Sequence, residues 1–316
     1  MKDLVSVIIP AYNAEAYILK AVNSILNQTY KNIEVVVTDD CSTDKTFQIL
    51  QSINDNRIKL CRNEKNSGVS FTLNNCILKS AGDLIAVMHA DDIANPDRIK
   101  VQKEYLDANK EIAIIGSQCK IIDEADNITN TFPVYTDTYE LLLETLLKKI
   151  PFLHPSVMYR KEAILKVGLY NLAYDGMEDH DMWLRLAAAG YKFGNIAQPL
   201  LQYRRHDTQI SQNFTEADIL KSDNIFNDFI RSLGIKRSYE DIIAFIKICN
   251  NSYKTRSAQE FKFFLYFFTD ILNNQKFLTG SEKKLIKKKF LKTIFRNRAK
   301  KKLHSYIDFY YLLKWI

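Results

Sequence analysis

Apolar residues in the first third of the chain fall in short runs separated by amphipathic stretches. Val5 to Ile9 is a β-branched run closed by Pro10; Ile33 to Thr38, Ile58 to Cys61 and Leu84 to Met88 are three more. Short apolar runs of this kind predict buried strands. Between them, Ala14 to about Asn27 places Ile18, Val22, Ile25 and Leu26 on one helical face, with Asn13 as the expected cap. A second helix starts at Thr43 or Asp44, and a third covers Gly68 to Lys79. Strands alternating with helices predict a parallel sheet covered on both faces.

The middle of the chain is mixed. Ile112 to Ile115, Gln118 to Ile122 and Ile196 to Tyr203 read as strands. Tyr139 to Lys148 reads as a helix, and another follows Glu178-Asp179 with Trp183, Leu184 and Leu186 apolar. Beyond about residue 215 the pattern is helical to the end. Two parts are therefore expected, an α/β unit over 1–215 and a helical region over 216–316.

In parallel sheets ligands bind outside the carboxyl ends of the strands. The polar residues there are Tyr12 and Asn13 after the first strand, Asp39 and Asp40 after the second, and His89, Asp91 and Asp92 after the fourth. Carboxylates crowded at one rim repel each other unless a cation or hydrogen-bond donors offset the charge. The adjacent pair Asp91-Asp92 suits a divalent cation that prefers oxygen, Mg²⁺ or Mn²⁺.

Composition narrows the classes. With 316 residues, 47% hydrophobic and 26% charged, the chain has enough apolar surface for a packed core and is not a disordered segment. No GxGxxG motif is present, which argues against a dinucleotide-binding dehydrogenase. Pro10-Ala11-Tyr12-Asn13 has neither Gly nor Lys after the first strand, which counts against a nucleotidyltransferase. The five cysteines form no CxxC pair, so a reducing compartment fits better than a disulfide framework or a zinc site. The apolar run Val5 to Ile9 is too short for a signal-peptide core, and no run approaches the roughly 20 residues of a membrane span.

Charge is concentrated near the end. Between 281 and 302, eleven Lys and Arg stand against Glu282 alone, a surplus of +10 that exceeds the +7 of the whole chain. Ile286, Phe290 and Ile294 share one helical face, opposite Lys288, Lys289, Lys292 and Arg296. A basic amphipathic helix suits an anionic membrane surface, at about 1 kcal/mol per nearby basic residue. Tyr306, Phe309, Tyr310, Tyr311 and Trp315 are suited to the headgroup level. The expected location is cytoplasmic, peripheral on the inner face of the cell membrane. No nucleic-acid-binding motif accompanies the charge.

One resemblance orders these signals. The run Val5-Ser6-Val7-Ile8-Ile9-Pro10-Ala11-Tyr12-Asn13 resembles the opening of glycosyltransferase family 2. The likeness continues in sequence order through Asp39-Asp40-Cys41-Ser42-Thr43-Asp44, Asn66-Ser67-Gly68, Asn74 and Ala81-Gly82-Asp83. It runs on through His89-Ala90-Asp91-Asp92, His154-Pro155-Ser156, Glu178-Asp179-His180-Asp181 and Tyr203-Arg204-Arg205-His206 to Ser211, covering residues 4 to 211.

The resemblance implies an inverting enzyme of the GT-A fold, an α/β Rossmann-like, mostly parallel sheet flanked by helices, here with a C-terminal helical extension. It implies a nucleotide-sugar donor, UDP-linked, and a glycan or lipid-linked acceptor of the kind used for cell-surface polysaccharide or lipopolysaccharide. It further implies that Asp40 accepts a hydrogen bond from the nucleotide base, that Tyr12 flanks that base, and that Pro10, Asn74 and Asp91 complete the donor site. Asp91 and Asp92 would hold Mn²⁺ or Mg²⁺ at the diphosphate. His206 would complete the metal shell or touch the diphosphate, with Arg204 and Arg205 beside it approaching phosphate. Asp179 would be the general base that deprotonates the acceptor hydroxyl, with Asp181 and Trp183 supporting it. The family usually has Asp where this chain has His89. That departure leaves the division of labour within the cluster open, and it is the one feature favouring a non-catalytic member of the same fold.

Overall fold

The computed structural model describes residues 3–147, 149, 151–206, 209, 215–250 and 257–299. The chain opens with β1 (Val5–Ala11), α1 (Ile18–Leu26), β2 (Ile33–Asp39), α2 (Thr46–Ser52), β3 (Ile58–Arg62), α3 (Val69–Lys79) and β4 (Leu84–Val87). These four strands pair in parallel in the order β3-β2-β1-β4, as their apolar runs predict. β1 runs on through Pro10 to Ala11. Its ladder to β4 ends at Ile8, so the missing proline N–H costs nothing there.

α1 begins four residues later than expected, with Tyr17 rather than Asn13 at its cap. The reason is tertiary. Asn13, at φ 45°, donates its N–H to Ser42 Oγ, Ala14 donates to Thr46 Oγ1, and Glu15 donates to Asp44 Oδ2. The turn after β1 is thereby tied to the turn after β2 and cannot wind into the helix.

The second half contains β5 (Ile93–Ala94), α4 (Arg98–Ala108), β6 (Ile112–Ile122), β7 (Ile128–Phe132), α5 (Thr138–Leu146), β8 (Met158–Arg160), α6 (Lys161–Val167), α7 (Glu178–Ala188) and β9 (Lys192–Arg204). It extends the sheet as β4-β8-β6-β9-β5, with β7 beside β6. β8 is antiparallel to both β4 and β6, while β9 is parallel to β6, so the full nine-stranded sheet is mixed. The two strands expected over 112–122 are one continuous β6.

Two apolar layers cover the sheet. One holds Val5, Val7 and Ile9 with Ile18, Val22 and Ile25 of α1. The other joins Ile8, Leu73, Ile77 and Trp183 to the helices beyond 215, α8 (Glu216–Ser232), α9 (Tyr239–Asn250), α10 (Ala258–Asn274) and α11 (Gly280–Ala299). Phe245 stacks on Phe264 and Phe267, and Phe268 meets Phe290, with centroids 4.5–5.0 Å apart. Fully burying one such ring is worth about 1.5–3 kcal/mol. The C-terminal helices therefore share a core with the α/β unit rather than building their own.

This changes the reading of α11. Ile286, Phe290 and Leu291, its apolar stripe, are buried in that core, so this face is turned to the protein and not to a membrane. Lys289 is paired with Asp137 and Glu140. Lys284, Lys288 and Lys292 form the exposed stripe. The side chain of Ile294 and the residues from Lys300 onward, with the aromatic group from Tyr306 to Trp315, lie outside the described residues, as does Ser211.

Candidate active site

The strand order turns back at β1, between β2 and β4, and such reversals open a crevice at the carboxyl ends. Every rim carboxylate named from the sequence emerges there. Asp39 is fully buried; its Oδ2 accepts the Ser42 N–H and pairs with Arg62, while its Oδ1 has no partner among the described residues. Asp40 accepts from Asn63 Nδ2 at 2.7 Å and from the backbone N–H groups of Ser67 and Gly68 at 2.9 Å each. Its carboxylate thus folds the 63–68 loop against β2. The Asp40 N–H donates to Ala11 O, which brings half-buried Pro10 and exposed Tyr12 alongside it.

His89, Asp91 and Asp92 each offer one ligand atom within 4.8 Å of the others. Asp92 is fully buried; Oδ1 accepts the Arg204 N–H at 2.9 Å, and Oδ2 has no partner among the described residues. Burial, reinforced by the negative charge of Asp91, pushes its carboxyl well above the ordinary range. His89 Nε2 is likewise buried with no partner among the described residues, and burial pulls that imidazole downward, toward the neutral form that binds metals. Asp91 Oδ2 lies 3.0 Å from His206 Nε2 and 3.3 Å from Gln209 Nε2. Unpartnered oxygen and imidazole ligands beside a second carboxylate fit a hard or borderline divalent cation, Mg²⁺ or Mn²⁺.

Arg204 departs from expectation. Its guanidinium is buried and fully engaged, with Asp91 O, Asp123 O and Asp126 Oδ1 at 2.6–2.8 Å and the Tyr17 ring 4.5 Å away. It staples the end of β9 to the loop after β4 and does not reach outward toward phosphate.

The third element is the start of α7. Asp179 Oδ1 accepts the His180 N–H at 2.7 Å, and Glu178 is buried beside it. Burial raises both carboxyls above their ordinary values, and the Asp179 charge adds to the effect at Glu178. Asp175, just upstream, accepts the Ser70 N–H at 2.7 Å and so tethers this turn to α3. Gly68 sits against it at φ +90°, where a Cβ would lie 2.5 Å from Asp175 Oδ2, so only glycine fits. Asp181 is spent on Arg185, which also holds Val167 O and Leu169 O.

Contacts join these elements. His89 meets His154 edge-on at 5.3 Å, and His154 Nδ1 lies 3.7 Å from Glu178 Oε1. A single residue, His154, thus stands between His89 of the cluster and Glu178 of the Asp179 turn. Asn74 is engaged elsewhere: its side-chain amide donates to Tyr170 O at 2.8 Å and accepts from Tyr170 N–H at 2.9 Å. The sequence reading assigned no role to Tyr170 or Asp175. Their partners lie about 100 positions away, at a distance that no periodicity encodes.

Comparisons with known proteins agree with this layout. The Glycosyl transferase family 2 model matches residues 6–168. An uncharacterised glycosyltransferase of Haemophilus influenzae is 33% identical over 263 residues, covering 78% of this chain and 80% of its own. UDP-Glc:alpha-D-GlcNAc-diphosphoundecaprenol beta-1,3-glucosyltransferase WfaP of Escherichia coli is 30% identical over 253 residues, covering 80% of this chain and 95% of its own. Among solved structures, S. aureus TarS 1-349 in complex with UDP-GlcNAc superposes with a TM-score of 0.62 at 17% identity, covering 98% of this chain and 92% of that one. At that identity the likeness establishes the GT-A-like fold.

Proposed function

Because the chain belongs to glycosyltransferase family 2, we propose that it moves a sugar, with inversion, from a UDP-linked donor to a hydroxyl of a lipid-linked glycan. The observation that carries this reading is the placement of the His89–Asp91–Asp92 cluster next to the turn that bears Asp179. The printed activity of WfaP, a UDP-Glc donor and a diphosphoundecaprenol acceptor, supports the choice of substrates, as does the UDP-GlcNAc bound to TarS.

The residues divide the work as follows. Asp40, Tyr12 and Pro10 border the nucleotide base. Asn74 contributes from behind, by fixing Tyr170. Asp91 and Asp92, with His89 or His206, would hold Mn²⁺ or Mg²⁺. Bound there, the cation supplies positive charge that stabilises the departing diphosphate. Asp179 accepts the proton of the acceptor hydroxyl, which is a weak nucleophile until a base removes it. Burial and the neighbouring Asp179 charge raise Glu178, which favours Asp179 for the base role. One displacement from the face opposite the leaving group inverts the anomeric carbon, so no protein nucleophile is required.

In this reading the 1–215 unit binds donor and acceptor, and helices α8 to α11 of the 216–316 region buttress α7 and face the membrane. Among the described residues no helix is long and apolar enough to cross a bilayer. A peripheral contact would use the exposed Lys284, Lys288 and Lys292 stripe. Replacing all three by Glu is expected to reduce sedimentation with phosphatidylglycerol vesicles at least about tenfold, without changing the melting temperature. Undiminished sedimentation would remove this stripe from the contact.

The function itself is tested by offering UDP-Gal, UDP-Glc, UDP-GlcNAc, UDP-GalNAc and GDP-Man with Mn²⁺ and scoring nucleotide release. Release from a UDP-sugar alone is the expected outcome; release from GDP-Man alone refutes the donor class.

A further inference from the structure

His154 stands between two groups that the proposed reaction uses, and it has no role in that account. Its side chain is only 6% exposed. The ring is enclosed edge-on by His89 at 5.3 Å, Tyr170 at 5.5 Å and Trp183 at 5.9 Å, with interplanar angles of 67–80°. Both nitrogens face polar atoms: Nε2 is 2.8 Å from Tyr170 Oη, and Nδ1 is 3.7 Å from Glu178 Oε1. Tyr170 cannot drift, because its backbone N–H and C=O are both clamped by the Asn74 side chain. A Tyr170 hydroxyl that donates to Nε2 leaves the imidazole proton on Nδ1, the nitrogen on the Glu178 side.

Glu178 needs such a neighbour. It is the first residue of α7 and is buried, and its Oε2 has no partner among the described residues. Buried carboxyl oxygens are normally hydrogen-bonded. The 3.7 Å separation is long for a hydrogen bond, as contacts in a site that tightens around substrate often are. If His154 only filled space, an apolar ring would serve equally well in this aromatic cage.

Resting on the glycosyltransferase reading, we propose that His154 is a positioning residue: through Nδ1 it holds Glu178, and with it the first turn of α7, so that Asp179 is aimed toward the loop carrying His89, Asp91 and Asp92. The chain Asn74–Tyr170–His154–Glu178 is the strut that sets that aim. Small errors in the placement of a base cost far more in turnover than in binding, up to about 10²-fold for a 1 Å shift.

The experiment compares His154→Phe, which keeps the ring and removes both nitrogens, with His154→Asn and His154→Gln. An Asn amide falls near the position of Nδ1, a Gln amide near that of Nε2. Turnover is followed as UDP release from UDP-Glc and UDP-GlcNAc, with GlcNAc-diphosphoundecaprenol or with water as acceptor. UDP affinity is measured in parallel with Mn²⁺ present. His154→Phe is expected to lower kcat about tenfold or more with donor KM and UDP Kd nearly unchanged. His154→Asn is expected to restore most of the loss, and His154→Gln little of it. His154→Phe combined with Glu178→Leu is expected to be no worse than the worse single variant, because each alone removes the contact between Nδ1 and Oε1.

Loss of UDP affinity in step with kcat, equal rescue by Gln and Asn, or multiplicative losses in the double variant would each overturn the proposal. Tyr170→Phe, which removes only one hydroxyl, repeats the kcat-against-KM comparison should His154→Phe misfold. Amide exchange at His180 and Asp181 reads the same hold without substrate; it is expected to quicken in His154→Phe and recover in His154→Asn. A wild-type protein that releases UDP from none of the four UDP-sugars refutes the donor reading alone, while unchanged exchange refutes the strut.

Discussion

Asp179→Asn is expected to lower transfer by about 10²–10⁴-fold, the usual worth of a general base, while UDP affinity stays nearly unchanged. Asparagine keeps the shape and the oxygen that accepts the His180 N–H, so the start of α7 retains its local geometry. What is lost is the ability to take a proton. Burial raises Asp179 from its ordinary value near 3.8, so its carboxyl ionises only at higher pH than that of an exposed aspartate. Wild-type turnover should therefore climb with pH through that raised value, and Asp179→Asn should abolish the climb.

Stability should run the other way. A carboxyl raised in the folded state contributes its full stability below the unfolded pKa and loses that contribution as pH rises through the folded value. Glu178 and Asp179 are both of this kind. The melting temperature should fall over the same window in which the rate rises, and the fall should be shallower in Asp179→Asn. A variant that turns over normally, or a wild-type rate flat with pH, would remove Asp179 from the base role.

Asp92→Asn should weaken UDP binding in Mn²⁺ by about 100-fold or more, on the scale by which altered metal surroundings change metal affinity. The variant amide can still accept the Arg204 N–H through its oxygen, so the link to β9 survives. Its other end carries no charge and cannot serve as an anionic ligand. Chelator should bring wild type down to the level of the variant. A loss of the same size with and without metal would instead mean that Asp92 acts only through the fold. Without metal, the variant should be at least as stable as wild type, because a buried carboxyl with an unpartnered Oδ2 is costly to ionise. Asp91→Ala is expected to show the same metal dependence and, in addition, to release His206 from its 3.0 Å contact.

How legible all this was in the chain depends on the range of the interactions. Whether Ile33 to Thr38 or Leu84 to Met88 forms a buried strand depends on the chemistry of a few adjacent side chains, and both appear where expected. The rim carboxylates were also readable, because parallel strands put all their carboxyl ends at one edge, so residues such as Asp40 and Asp91 need only follow a strand to share a neighbourhood. Helix starts were less readable. Asn13 has a capping residue's chemistry, yet its backbone is held by Ser42, 29 positions away, and the helix waits until Ile18.

The alternation of apolar strands and helices, the ordered acidic motifs and the basic surplus near the end belong to the linear chain, because each follows from neighbours within a few residues. The burial of Arg204, the clamping of Tyr170 by Asn74, the inward face of α11 and the place of His154 between His89 and Glu178 were settled only on folding. Those arrangements depend on which distant atoms meet once the apolar layers close. A single buried nitrogen or carboxylate then takes whatever partner lies within hydrogen-bonding reach, however far away that partner is in sequence.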